Sequence, residues 1–81
     1  MRADICDGED RVGKLALVKA LRSEGAKVDD YGWGMGVDVT TCIVHGCQLR
    51  VYIDPWSVDI EGPEEVVTRL VKTYQNTRAD M

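Results

Sequence analysis

The sequence predicts an α+β fold, a three-stranded antiparallel meander with two helices packed on one face, in the order α-β-β-β-α. Apolar residues alternate with polar ones through residues 37–43, 47–53 and 56–60, which is typical of strands with one buried face. Apolar residues then recur at helical spacing over residues 66–74, which predicts a helix with one apolar stripe. A sheet with one buried face and a striped helix together predict a layered α+β domain.

The length of 81 residues suits a single domain, 1–81, in which residues 1–6 and 77–81 are expected to fray. The net charge is −4, with 14 acidic and 10 basic residues, and this argues against a nucleic-acid partner, which requires a basic surface. Three cysteines are an odd number, so reduced thiols are expected rather than a disulfide framework.

The sequence also predicts a cytoplasmic protein without a membrane partner. No apolar run approaches the roughly 20 residues that a membrane-spanning helix needs. A positively charged leader ahead of an apolar stretch is not expected at the start of the chain either.

The first helix is predicted from Gly8 to Glu24, with Asp7 as the N-cap and a glycine after its end. Leu15 and Val18 fall near the charged side of this helix. Either the helix is covered on two sides, or these two side chains are exposed and form a homodimer interface.

Residues 26–36 follow as the most ambiguous segment. Residues 26–31 favour a possible short edge strand, and glycine at every second position of residues 31–36 predicts an irregular loop. Trp33 and Met35 lie in this loop. They form either a binding hot spot or, in the case of Trp33, a cover over the end of the core.

The first hairpin admits two registers. A three-residue loop, 44–46, keeps the apolar residues on one face by pairing Ile43 with Cys47 and Val39 with Val51. A two-residue loop pairs Cys42 with Leu49 and mixes the faces, so the first register is predicted.

The second hairpin turns at residues 54–55, sets Val51 opposite Val58 and places Trp56 in the core. The polar face of the sheet then carries a set of residues available to a partner: Arg50, Tyr52, Asp38, Asp59 and Glu61.

The last helix opens at Pro63 with two acids in its first turn, Glu64 and Glu65, where they favour the helix dipole. The order helix, three strands, helix resembles that of double-stranded RNA-binding domains. That family places basic residues at the start of its second helix, where this chain has Glu64 and Glu65, and it has a longer loop than residues 44–46. The resemblance in topology therefore implies no RNA binding.

The chemistry-bearing residues predict no metal, cofactor or catalytic site. Cys42, His45 and Cys47 lie close together, and Cys6 is a possible fourth zinc ligand, but their spacing matches no common zinc pattern. The predicted register also sends Cys42 and Cys47 to opposite faces of the sheet, so that they cannot bind the same ion. His45 is the single histidine, at a turn with no evident orienting partner. The glycines of residues 32–36 precede a strand rather than a helix, unlike a phosphate loop.

The sequence therefore favours a small acidic protein-interaction module without catalytic activity. Its contact surface is expected among Trp33, Met35, Tyr52, Arg50, Asp38, Asp59 and Glu61, with Leu15 and Val18 for self-association. One alternative is an acidic inhibitor of a nucleic-acid-binding enzyme, which presents carboxylates in place of phosphates. Another is a small homodimer or a small-ligand binder.

Overall fold

A computed structural model describes residues 1–34 and 37–81, with side chains for residues 1–28 and 38–81. The elements are β1 (Arg2–Asp7), α1 (Arg11–Ser23), β2 (Lys27–Gly34), β3 (Val37–Val44), β4 (Cys47–Ile53), β5 (Ser57–Glu61) and α2 (Glu64–Ala79). The strands form a five-stranded antiparallel sheet in the order β1-β5-β4-β3-β2.

The core lies between one face of the sheet and the two helices. Its largest fully buried side chains come from three strands and α2: Val44, Leu49, Val58, Ile60, Val67 and Leu70. From α1 it takes Ala16, Leu17 and Ala20, of which the two alanines are small and let the helix approach the sheet closely. The predicted α+β class, with two helices over an antiparallel sheet, is confirmed.

The sheet has two more strands than the predicted meander, one at each edge. β1 occupies residues that were expected to fray. Ala3, Ile5 and Cys6 pack against the core and hold this strand in place, although acidic residues interrupt its apolar pattern. β2 includes the possible edge strand and continues through residues predicted as an irregular loop, to Gly34. With these strands the order is no longer that of the RNA-binding domains.

The predicted register of the first hairpin is wrong. Val44 pairs with Cys47 and Cys42 with Leu49, around a two-residue turn of His45 and Gly46. Both turn residues have positive φ, 51° and 76°, as a type I′ turn requires. The prediction maximised apolar pairs on one face, whereas β3 lies inside the sheet and is half-buried on its outer face as well.

The second hairpin also differs from its predicted pairing. Ile53 pairs with Val58 and Val51 with Ile60, a shift of two residues. A shift of two keeps every side chain on its predicted face, so Val51, Val58 and Ile60 are buried as expected.

The two helices differ from prediction mainly at their ends. α1 begins later than predicted, because Asp10 rather than Asp7 is its N-cap and accepts a hydrogen bond from the amide of Gly13 at 2.9 Å. Gly25, with φ 73°, follows its end as predicted. α2 begins after Pro63 with the two predicted acids, and it includes residues 77–79, which were expected to fray. In the described part of the chain, neither helix is long and apolar enough to cross a membrane.

Candidate functional site

An open, mainly apolar groove lies between α1 and the helix-facing side of the sheet. Its cavity volume is about 340 Å³. We call it the α1 groove, and its lining includes Leu17, Val18, Leu21, Val28, Ile53 and Val58. This volume lies at the lower end of the range of about 300–1,000 Å³ typical of ligand pockets.

The groove exists because the helices lie toward one edge of the sheet. α1 and α2 pack against each other, and both contact β1 at that edge. Toward the opposite edge of the sheet the cover is incomplete, since Val28 of β2 is largely exposed on the helix-facing side whereas Cys42 of β3 is buried. Thr40 and Cys42 of β3 line the floor of the groove there.

The rim of the α1 groove exposes large apolar side chains. Val28 is 69% exposed and Val18 is 43% exposed, and both line the groove. Leu15, one helical turn before Val18, is 50% exposed and extends the apolar surface beyond the groove. These exposures favour the second of the two sequence alternatives, in which Leu15 and Val18 are uncovered.

Two cations, Lys14 and Arg22, complete the lining of the α1 groove. They are eight residues apart on α1, which corresponds to about 12 Å along the helix axis. Neither forms an ion pair with any side chain that the structure describes. An apolar floor between two cations fits an apolar group that carries or is flanked by anions.

The polar outer face of the sheet gathers four of the five residues predicted there. Arg50 pairs with Glu61 and Tyr52 with Asp59, so these side chains share one face. Asp38 pairs instead with Ile53, which places it on the helix-facing side, because the register of the first hairpin differs from the prediction. The predicted contact set is therefore divided between two faces.

A residue that the sequence analysis did not select, Arg2, organises this outer face. Its guanidinium pairs with Asp59 at 2.9 Å and lies 4.5 Å from the ring centre of Tyr52. The hydroxyl of Tyr52 donates a hydrogen bond to Glu61 at 3.2 Å. The neighbouring Asp59 carboxylate raises the pKa of Asp4. Because these charges engage one another, this face is not a bare array of carboxylates.

Trp56 is exposed, although the sequence predicted it in the core. Its side chain is 80% exposed at the tip of the β4–β5 turn. Oδ1 of Asp54 accepts hydrogen bonds from the amides of Trp56 at 2.8 Å and Ser57 at 2.6 Å. The order Asp-Pro-Trp-Ser is a signal for such a turn, since an aspartate that caps the next amides leaves the residue at the tip directed to solvent.

The side chains of two predicted contact residues, Trp33 and Met35, lie outside those that the structure describes. Met35 lies outside the described residues. The backbone of Trp33 belongs to β2 opposite Asp38, and its side chain lies outside those described.

The cysteines are placed differently from the prediction, whereas His45 lies at the tip of the first hairpin as predicted. Cys42 and Cys47 lie on the same face of the sheet, because each pairs within the observed register on the helix-facing side. Burial raises the pKa of the Cys42 thiol and of the Cys6 thiol. Within the described residues, no group of three or more histidine, cysteine or acidic side chains is arranged to hold a metal ion.

His45 has a partner that the sequence did not reveal, the carboxylate of Glu24. The Glu24 side chain is only 8% exposed. Its carboxylate accepts hydrogen bonds from Thr73 at 2.7 Å and from Arg69 at 3.2 Å, and it lies 3.0 Å from Nε2 of His45. The hydroxyl of Thr73, followed by His45 and Arg69, lowers the pKa of Glu24 to about 2. All of its partners belong to the fold itself, so this cluster is a structural tie.

Comparison with known proteins identifies no relative: the chain matches no protein-family model, and no curated protein or solved structure is significantly similar to it.

Proposed function

We propose that this protein is a small protein-interaction module that binds an apolar segment of a partner protein in the α1 groove. The observation that carries the proposal is the groove itself, an apolar surface left open between α1 and β3. Burying apolar surface contributes about 25 cal/mol per Å² removed from water. A partner that covers the exposed Val18 and Val28 therefore gains binding free energy.

A protein partner is favoured over a small ligand because the apolar surface continues outside the groove. Leu15 is half exposed and adjoins Val18, so a partner that covers both buries more apolar area than the groove alone offers. Small ligands, by contrast, are held mostly inside their pocket.

The charge of the groove specifies the chemistry of the partner segment. The chain as a whole is acidic, with net charge −4, whereas Lys14 and Arg22 line the groove. An acidic partner is therefore attracted at this place and repelled by much of the remaining surface. The segment proposed here has one or two large apolar side chains flanked by aspartate or glutamate.

The alternative of charge mimicry receives less support. It needs Asp38, Asp59 and Glu61 on one face, and Asp38 lies on the other. Arg2 also neutralises Asp59 in that array. The proposed module acts by binding and has no catalytic activity.

Affinity capture from the native host cells, followed by binding measurements with the purified partner, tests the proposal. Val18→Asp places a charge at the groove and should raise the dissociation constant at least tenfold, about 1.4 kcal/mol. Val12→Asp is the matched control, because Val12 is 49% exposed on the same helix and does not line the groove. Equal affinities for wild type and Val18→Asp, with both proteins folded by circular dichroism, would contradict the proposal.

A second pair of variants tests the charge of the groove. Lys14→Glu combined with Arg22→Glu should weaken the complex and reduce its salt dependence, because two attractive charges become repulsive. Lys72→Glu makes the same kind of change on the exposed side of α2 and should leave the affinity within about twofold.

A further inference from the structure

We propose that the α1 groove binds Trp56 of a second copy of this chain, so that two copies exchange their tryptophans in a two-fold dimer. This inference rests on the proposed function, since it names the partner of the same groove.

The backbone of the turn that presents Trp56 is held rigidly. The two hydrogen bonds to Asp54 fix the turn, and Gly8 packs directly against the backbone of Pro55 with no room for a Cβ atom. Because the backbone of this turn is already fixed, association needs to order only the side chain of Trp56. Tryptophan is also among the residues most enriched at the energetic centres of interfaces.

Carboxylates flank Trp56 on its own molecule. A cleft beside it is lined by Asp7, Glu9 and Asp10, and Asp54 supports its turn. Asp10 is paired with Arg78 at 2.7 Å, which leaves Asp7 and Glu9 as the exposed acids of the cleft. The tip is therefore an apolar anchor flanked by acids, which is the segment that the α1 groove fits.

The two surfaces are complementary in charge as well as in apolar character. Lys14 and Arg22 line the groove, and Asp7 and Glu9 flank the tip. A second copy therefore supplies the required partner chemistry without any other protein.

The groove and the tip lie side by side, which favours a two-fold arrangement. Ile53 and Val58 flank the turn that carries Trp56, and both line the groove. Trp56 does not occupy the groove of its own molecule, since it is 80% exposed. When two neighbouring surfaces are complementary, a two-fold axis brings both contacts into one interface and closes the assembly at two copies.

Sedimentation equilibrium across a wide range of protein concentration tests the dimer. Wild type should pass from monomer to dimer, and Trp56→Ala should raise the dissociation constant of the dimer at least tenfold. Lys14→Glu combined with Arg22→Glu should do the same, whereas Lys72→Glu should match wild type. Unchanged dimerisation of Trp56→Ala, or a wild type that stays monomeric throughout, would overturn the inference.

Mixing the two defective proteins gives a sharper test. The Trp56→Ala protein keeps its groove, and the Lys14→Glu/Arg22→Glu protein keeps its tryptophan, so the mixture regains one of the two contacts. We expect more dimer in the mixture than in either protein alone. A mixture that behaves as the sum of its components would count against an exchange of Trp56.

Fluorescence reports where Trp56 goes. The chain has two tryptophans, so Trp33→Phe leaves Trp56 as the single tryptophan, which is excited at wavelengths that the tyrosines do not absorb. Its emission should shift to shorter wavelength as the dimer forms, because the indole leaves water. Dimerisation without this shift would show a different interface and overturn the inference.

The outcome for the captured partner distinguishes the two proposals. If wild type stays monomeric and Val18→Asp still loses its captured partner, the second-copy inference fails and the docking groove stands. If Val18→Asp changes neither the affinity for the captured partner nor the dissociation constant of the dimer, the proposed function fails as well.

Discussion

Nε2 of His45 lies 3.0 Å from Oε2 of Glu24, although 21 residues separate them in the chain. Glu24 is the C-cap residue of α1, and His45 is at the tip of the β3–β4 turn. The same carboxylate accepts hydrogen bonds from Thr73 and Arg69 of α2. One side chain therefore joins the end of α1, the first hairpin and α2.

Removing the charge of this tie should destabilise the fold. Glu24→Gln keeps the size of the side chain and weakens its hydrogen bonds to Thr73, Arg69 and His45, which are charge-assisted. We expect a loss of about 2 kcal/mol in the free energy of unfolding, measured by urea denaturation. Glu9→Gln, at an exposed position, is the control and should change it by less than about 0.5 kcal/mol.

The same tie should make stability depend on pH in the acid range. The pKa of Glu24 is lowered from 4.5 to about 2 in the folded state. A lowered folded-state pKa contributes stability above the unfolded-state pKa, and that contribution is lost as the pH falls through the folded-state pKa. The difference in stability between wild type and Glu24→Gln should be full above pH 4.5 and disappear near pH 2.

Comparing the two proteins is necessary because the pKa values of Asp10 and Asp54 are also lowered, by backbone hydrogen bonds at Gly13 and Ser57. These groups destabilise both proteins equally on acidification. A difference between wild type and Glu24→Gln that is constant between pH 6 and pH 2 would contradict the assignment to Glu24.

Periodicity predicted the fold class because the central strands and α2 carry regular apolar patterns. It missed β1 because a register shift between Asp4 and Cys6 breaks the alternation of apolar and polar residues in this short strand. Pairing with β5 holds β1 in the sheet. It chose the wrong register because apolar spacing does not show that His45, like Gly46, adopts the positive φ of a type I′ turn.

The candidate site was only partly accessible to sequence reasoning. The position of Leu15 and Val18 near the charged side of the helix left two alternatives, cover on two sides or exposure, and the structure shows both residues partly exposed. The groove beside them depends on where the helices sit on the sheet, which is a tertiary property. Trp56 was assigned to the core because it continues an apolar alternation, whereas the hydrogen bonds of Asp54 place it at the tip of a turn.

Asp4→Asn should raise the melting temperature at pH 7. Asp59 raises the pKa of Asp4 through a hydrogen bond and its charge, with Asp7 and Asp54 adding repulsion. A raised folded-state pKa means that stability is lost as the pH rises through it. The gain from Asp4→Asn should therefore be present at pH 7 and vanish well below the ordinary pKa of 3.8, when Asp4 is protonated in both states. A gain that is equal at both pH values would exclude this cause.

Gly13→Ala should destabilise the protein although alanine is the better helix former. Alanine gains about 1 kcal/mol in helix propensity. Its Cβ atom, however, would lie 2.7 Å from Nη1 of Arg78 and 2.8 Å from Cβ of Cys6. Overpacking of this kind costs about 1–3 kcal/mol, so we expect a net loss of about 1 kcal/mol in thermal or urea unfolding. Combining it with Cys6→Gly, which removes that Cβ atom, should reduce the effect of Gly13→Ala in a double-mutant cycle.

Gly8→Ala should weaken dimerisation through Trp56 without weakening the binding of a captured partner in the α1 groove. A Cβ atom at Gly8 would overlap the backbone of Pro55 and Asp54, which cannot move aside as a flexible side chain can. The β4–β5 turn must therefore shift, at a cost of about 1–3 kcal/mol in stability. Lys14 and Arg22 lie on α1, away from this contact, and the groove should keep its affinity for a captured partner. Dimerisation through Trp56 should therefore weaken. Gly8→Ala with wild-type stability and dimerisation would show that the turn does not depend on this contact.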